Sequence, residues 1–108
     1  SDILIYRLVY NLVENAIKYN RLDGTVTVSV TEENECTCIR VEDTGNGIPE
    51  ELKGRVFDPF FRVDKSRSRA LGGVGLGLAL VHEIVRVHDG EITIKDNKAG
   101  GTTFEVRF

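Results

Sequence analysis

Four polar side chains, Asn11, Asn15, Lys18 and Tyr19, recur near the start of the chain at a spacing that a helix turns to one side. At about 100° per residue they occupy roughly a quarter to a third of the circumference. Amide oxygens are hard donors of the kind Mg²⁺ accepts beside its waters and phosphate oxygens. An ammonium beside a phosphate acts as a point charge. A tyrosine offers a flat face and a hydroxyl to a base or a sugar. A solvated helix surface with a lysine near its C-terminus would show the same pattern.

Asp43-Thr44-Gly45-Asn46-Gly47 is the second such stretch. It closes a run in which Thr37, Ile39, Val41 and Asp43 share one face, so the carboxylate sits with aliphatic side chains and needs a partner or a ligand. An acceptor of that kind would take the exocyclic amine of adenine and discriminate against bases that lack it. A β-turn in which Asp43 bonds its own backbone has the same sequence. Gly45 and Gly47 allow a sharp turn and close approach to a flat ligand.

Gly72-Gly73-Val74-Gly75-Leu76-Gly77-Leu78 is the third, opening a helix whose first N–H groups and positive dipole end would face an anion. Its spacing matches neither the phosphate loop nor the dinucleotide fingerprint. Arg62, Lys65, Arg67 and Arg69 lie upstream and would either meet phosphates or keep a loop soluble. Phe57, Phe60 and Phe61 surround Pro59, too many aromatics for a solvated loop, and point to a lid that docks on its own domain or on a partner. The three stretches together are what an ATP site with Mg²⁺ requires.

The elements that must position them are legible from periodicity. Ile5, Val9, Leu12 and Ala16 mark the buried stripe of a helix from Ile3 to Tyr19, with Asp2 as its N-cap. Thr25 to Thr31 alternates strictly, predicting a strand with Val26, Val28 and Val30 toward the core. Glu32 to Glu35 is a polar turn, and Cys36 to Asp43 a second strand. Pro49 to Arg55 is a short helix with Pro49 in its first turn. Phe57 to Gly73 is a loop, and Val74 to His88 is a second long helix that Asp89-Gly90 ends. Glu91 to Lys95 and Thr102 to Phe108 form a hairpin, with Ile92, Ile94, Phe104, Val106 and Phe108 inward. Helices plus a small mixed sheet, the strands in two hairpin-like pairs, predict an α/β two-layer sandwich with helices on one face.

The 108 residues are one domain's worth, with ordinary hydrophobic (41%) and charged (29%) content. A net charge of −3 argues against a general binder of nucleic acid or anionic membrane. No apolar run approaches the ~18 residues of a membrane span, and no secretory signal is visible. Cys36 and Cys38 lie two apart, a poor disulfide geometry without a zinc-completing partner, and are expected as free thiols in a reducing compartment. The chain has no Met, even at its first position, which leads to the expectation of a segment of something longer.

Taken in order, these motifs resemble those of the catalytic, ATP-binding domain of bacterial sensor histidine kinases, within the superfamily that includes gyrase B-type ATPases. Asn11 to Tyr19 is similar to the family's asparagine box, and Val41 to Pro49 to its first glycine box. Phe57 to Arg62 is similar to its phenylalanine box, Gly73 to Leu78 to its second glycine box, and Gly100 to Phe104 to its closing strand motif. The resemblance covers essentially the whole chain. It implies the Bergerat-type sandwich, with a mixed sheet of about five strands, three helices on one face and an ATP lid.

It also implies roles. Asn15 would be the Mg²⁺ ligand, with Asn11 beside it. Lys18 would contact phosphate, and Tyr19 would line the pocket. Asp43 would bind the adenine amine, Gly45 and Gly47 would shape the pocket, and Ile48 would pack near the base. Arg62 would reach the terminal phosphate. Phe61 and Thr103 would border the nucleotide, as would the lid hinge of Gly73, Val74, Gly75, Leu76 and Gly77. Asn11, Lys18 and Arg62 would be the catalytic set. The implied activity is transfer of the ATP γ-phosphoryl group to a histidine on a separate, N-terminal dimerisation domain, for relay to a response regulator. The domain would be cytoplasmic and touch no membrane or nucleic acid, within a parent that is often a membrane sensor. Lacking its acceptor, the chain would not phosphorylate itself, and it would be a monomer.

Two departures stand out: Val74 where the family commonly has Thr, and Asp89 where Gly is common, the latter expected to be harmless. His82 and His88 lack the acceptor pattern and read as structural or exposed. An anti-sigma-type serine kinase and a nucleotide-binding regulatory module without kinase activity share the site. A gyrase-like ATPase fits less well, because the position of its water-activating carboxylate is Asn11.

Overall fold

The computed structural model describes residues 2–59, 61 and 77–108. Helix α1 (Asp2–Lys18) buries Leu8, Leu12 and Ala16, one residue per turn, and half-buries Leu4, Ile5, Val9 and Val13 beside them. The buried stripe therefore includes Leu8, and Asp2 lies inside the helix rather than capping it. Strands β1 (Val26–Glu33) and β2 (Cys36–Asp43) form a hairpin. A single 3₁₀ turn (Glu50–Leu52) follows Pro49. Helix α2 (Gly77–Val87) buries Val81, Ile84 and Val85 against α1 and the sheet. Strands β3 (Glu91–Asp96) and β4 (Thr102–Arg107) complete the sheet.

The strand order is β1-β2-β4-β3, and each neighbouring pair is antiparallel. Both helices lie on one face, over Ile39, Val41, Phe104 and Val106. The two-layer α/β sandwich is thus as expected. Among the described residues the sheet has four strands, all antiparallel, and the α-helices number two. The expected parallel component and third α-helix are not among them, since Pro49 to Arg55 holds only the 3₁₀ turn. The hairpin prediction for β3 and β4 holds, and β4 also pairs with β2, which makes it a central strand buried over five consecutive residues. The valines of β1 depart from expectation. Val26 is half-buried, but Val28 is 44% and Val30 62% exposed, because this edge extends beyond the cover of the helices.

The open face of the sheet carries one buried carboxylate, Glu105, only 5% exposed. Arg40 donates to it through Nη2 at 2.7 Å and Nε at 3.0 Å. Arg107 Nε donates at 3.2 Å, and Lys95 Nζ stands 3.9 Å away. The Arg40 hydrogen bond, outweighing burial, holds the Glu105 carboxyl below the usual glutamate value of 4.5. Its contribution to stability is therefore full above that value and is lost as pH falls through the lower folded value. Glu105→Gln is expected to flatten the acid limb of the stability–pH curve below about pH 4.5, read by urea unfolding at a series of pH values.

Three non-glycine residues among those described occupy left-handed backbone. The β1–β2 turn has both central residues at positive φ, Asn34 at 51° and Glu35 at 67°, the two-residue hairpin geometry that favours Asn followed by Gly. Asp89, at φ 55°, is the left-handed residue of a Schellman end to α2. There Gly90 N donates to Val85 O (2.9 Å) and Asp89 N to Arg86 O (3.1 Å). Asp89 is exposed, as expected of a surface position, but its backbone is left-handed. Glu35→Gly and Asp89→Gly should each stabilise the fold by about 0.5–1 kcal/mol, measured as a higher denaturant midpoint with an unchanged slope.

Candidate functional site

Asp43 ends β2 and is 8% exposed. Its Oδ1 accepts the backbone N–H of Gly45 (2.9 Å) and that of Thr102 (3.1 Å), one from its own turn and one from β4. Its Oδ2 accepts no hydrogen bond from any described residue. The reading in which Asp43 bonds its own backbone turn is thus realised by one oxygen alone.

The turn between β3 and β4 fixes that carboxylate from the far side. Asn97 Nδ2 donates to the Asp43 backbone carbonyl at 2.9 Å and lies 3.4 Å from Thr103 Oγ1, while Asn97 Oδ1 accepts from Ala99 N and Gly101 N. Gly101 is pressed against Asp43: a Cβ there would fall 2.1 Å from Asp43 O and 2.6 Å from Oδ1. Gly47, at φ +74°, faces Gly100 O, and its Cβ would come within 3.0 Å. Thr103 is buried and Ile48 packs on the core beneath.

The C-terminal end of α1 closes the opposite side. A Cβ on Gly45 would lie 2.5 Å from Tyr19 O, so Tyr19 and the acidic turn are in contact. Asn20 Nδ2 donates to Thr25 O (2.8 Å), and Asn20 Oδ1 accepts from Thr44 Oγ1 (3.0 Å). Thr44 Oγ1 accepts from Thr25 N (2.9 Å). This relay ties the end of α1 to the start of β1 and the end of β2. Asn20, Thr44 and Asn97 were not singled out by the motif reading. Their only sequence signal is a turn-forming residue type at a turn.

Upstream on α1, Asn11 Nδ2 donates to Arg7 O (2.7 Å), which fixes the amide orientation. Asn11 Oδ1 then looks toward the first residue of α2: a Cβ on Gly77 would lie 3.1 Å from it. Asn15, half-buried, makes no side-chain hydrogen bond among the described residues. The structure thus brings Asn11 together with Gly77, and Tyr19 with Asp43, Gly45, Gly47 and Thr103. Lys18 forms an i,i+4 ion pair with Glu14 at 3.4 Å, a partly exposed pair worth about 0.3–0.5 kcal/mol that an incoming anion can displace. No group of three or more His, Cys, Asp or Glu that could cage a metal is present among the described residues. The amide oxygens of Asn11 and Asn15, which accept from no described residue, fit Mg²⁺, which takes few protein ligands and completes its shell with water and phosphate.

Phe57 packs at a tilt against His82 (centroids 5.3 Å, interplanar 32°) and meets Phe104 edge-on (6.3 Å), so this aromatic docks on its own domain. Phe61 lies under the Arg55 guanidinium at 5.1 Å. Phe60, Arg62, Lys65, Arg67, Arg69, Gly73, Val74, Gly75 and Leu76 lie outside the described residues. His88 is structural, its Nδ1 2.8 Å from Ile84 O and its ring against Phe108. Cys36 and Cys38 are free thiols, the first exposed and the second buried.

The family model described as histidine kinase-, DNA gyrase B-, and HSP90-like ATPase matches residues 1–108. The sensor protein CiaH of Streptococcus pneumoniae is 43% identical over 99% of the chain, which spans 24% of that protein. The sensor histidine kinase WalK of Bacillus subtilis is 46% identical over 92% of the chain, which spans 16% of it. Among solved structures, the mycobacterial sensor histidine kinase MprB superposes with a TM-score of 0.88 at 28% identity, over all of this chain and 73% of that one.

Proposed function

Since this chain belongs to the histidine kinase-, DNA gyrase B-, and HSP90-like ATPases, as the catalytic ATP-binding domain of a sensor histidine kinase, we propose that it delivers the γ-phosphoryl group of ATP to a histidine on a separate dimerisation domain of its parent protein. In that transfer the bond from the γ-phosphorus to the ADP oxygen breaks and one to an imidazole nitrogen forms. A response regulator then receives the group. The domain works in the cytoplasm of a parent that can be membrane-anchored. No helix among the described residues is long and apolar enough to cross a membrane. The observation that carries the residue-level reading is Asp43, buried, with one oxygen committed to two backbone amides and the other available.

Asp43 Oδ2 accepts the adenine 6-amino group, while Gly45, Gly47, Ile48 and Thr103 form the walls. Tyr19 and Phe61 border the nucleotide. Asn15, with Asn11 adjacent, holds Mg²⁺, which supplies charge neutralisation on the phosphates when bound. Lys18 leaves Glu14 for a phosphate oxygen. The motif resemblance gives Arg62, Gly73, Val74, Gly75, Leu76 and Gly77 the part of contacting the phosphates, and all but Gly77 lie outside the described residues. The chain's own part is positioning and electrostatic stabilisation, since phosphoryl transfer needs little covalent help from the protein.

Calorimetry with ATP and ADP tests the binding half: affinity that rises with Mg²⁺ is expected for ATP, and no binding at millimolar ligand would overturn the reading. Labelled ATP tests the transfer half. The chain alone should gain no phosphohistidine, and it should label an added dimerisation domain from its parent. Labelling of His82 or His88 would contradict the assignment.

A further inference from the structure

The ladder between β2 and β4 breaks its own pattern at Asp43. Thr37 and Phe108 exchange both backbone hydrogen bonds, at 2.9 and 3.2 Å. Such pairs alternate along an antiparallel ladder, so Ile39 with Val106 and Val41 with Phe104 are the next two. Asp43 with Thr102 would follow, but the pairing ends one position short of it, at Glu42 and Thr103. There the Thr102 N–H is drawn to the carboxylate, 3.1 Å from Oδ1. The Asp43 carbonyl is left to find another donor, as a backbone acceptor beside a buried side chain must.

Asn97 is that donor, with Nδ2 at 2.9 Å from Asp43 O and 3.4 Å from Thr103 Oγ1. Its amide is oriented from the other end. Oδ1 accepts the N–H groups of Ala99 (3.1 Å) and Gly101 (3.0 Å). Turning the amide over would set oxygen against the Asp43 carbonyl and nitrogen against two N–H groups. The Asn97 backbone closes the same turn, accepting from Gly100 N (3.1 Å) and donating to Gly101 O (3.2 Å). One residue earlier, the largely buried Lys53 ammonium bonds Asp96 Oδ1 at 2.9 Å and ties the turn to the segment after Pro49. Asn97 thus reaches Asp43 from a turn with little freedom to withdraw.

We propose that Asn97 is a positioning residue for recognition of the adenine amine. By supplying the Asp43 carbonyl, it leaves the Thr102 N–H to Oδ1, and a carboxylate held there by two N–H groups presents Oδ2 in one direction. This rests on the reading that Oδ2 accepts the 6-amino group. Without the Asn97 donor, the Thr102 N–H returns to the carbonyl and completes the ladder. Oδ1 then keeps the Gly45 N–H alone, and the carboxylate turns about its Cβ–Cγ bond. The effect of Asn97 therefore passes through the amine and through no other part of the nucleotide.

The test uses this 108-residue chain and calorimetry with two ligands: ADP, and purine riboside 5′-diphosphate, in which hydrogen replaces the amine. Asn97→Ala removes the whole amide. Asn97→Asp keeps an acceptor for Ala99 and Gly101 but has no donor for Asp43. Both variants should bind ADP about tenfold more weakly and the analogue within about twofold of wild type, so that the preference for ADP collapses. A merely structural role would weaken both ligands together, or spare Asn97→Asp, and either result overturns the proposal. So does loss of the fold in both variants, since a residue needed for folding does not act on the amine alone. Wild type that binds the two ligands equally would remove Asp43 from the amine. A wild-type preference that survives in both variants removes Asn97 and leaves the reading of Asp43 standing.

Discussion

Asp43→Asn is expected to weaken ADP and ATP binding by about 10²–10³-fold, with the fold retained. The substitution is nearly isosteric, and its amide oxygen can keep the two backbone N–H donors of Gly45 and Thr102 that Oδ1 now accepts. The amide nitrogen then stands where Oδ2 was, a donor facing the donor of the adenine amine. A charge-assisted hydrogen bond is replaced by a mismatch that neither partner can relieve inside a buried turn. Calorimetry gives the affinity, and an unchanged urea midpoint shows that the turn survives. Because a guanine base presents a carbonyl where adenine has its amine, the variant should also lose its preference for ADP over GDP. Retention of wild-type ADP affinity would remove Asp43 from the base-recognition role.

Gly101→Ala should be the most damaging single methyl addition near the site, destabilising the chain by roughly 3 kcal/mol. The new Cβ would fall 2.1 Å from the Asp43 carbonyl oxygen and 2.6 Å from Oδ1. These are a backbone atom and a carboxylate oxygen held by two hydrogen bonds, neither free to swing aside. Relief requires β4 to move from the end of β2, which breaks the Thr102 bond to Asp43 and the Asn97 bond to its carbonyl. Chemical unfolding checks the stability, and the folded fraction should bind ADP more weakly than wild type. By contrast Gly54, which has open space around its would-be Cβ, is a control where Ala should be close to neutral.

Much of the candidate site's placement was readable because its residues are concentrated in short motifs. Asp43 could be placed at the buried end of a strand from the alternation of Thr37, Ile39 and Val41 alone, and the structure puts it there. Asn11, Asn15 and Tyr19 were placed on one helix by spacing. Alternation says which face a residue takes, not whether that face is covered, and this is why Val28 and Val30 were expected in a core and lie exposed. The pairing of β2 with β4 joins segments some sixty residues apart, beyond any local pattern. Asn97 reaches Asp43 across the same gap, so its role could only emerge once the two turns met. Glu105 would pass for a solvent-facing residue of an alternating strand. Its burial comes from Arg40 and Arg107 folding over it, an outcome of side-chain length rather than of period.

The left-handed Glu35 and Asp89 have a further meaning for experiment. Both lie in turns away from Asp43, and both forgo a stability that a glycine would restore. The double glycine chain would carry about 1–2 kcal/mol of mutational headroom, since distant substitutions add. In that background Gly101→Ala should remain largely folded at room temperature. The loss of nucleotide affinity could then be read apart from the loss of structure.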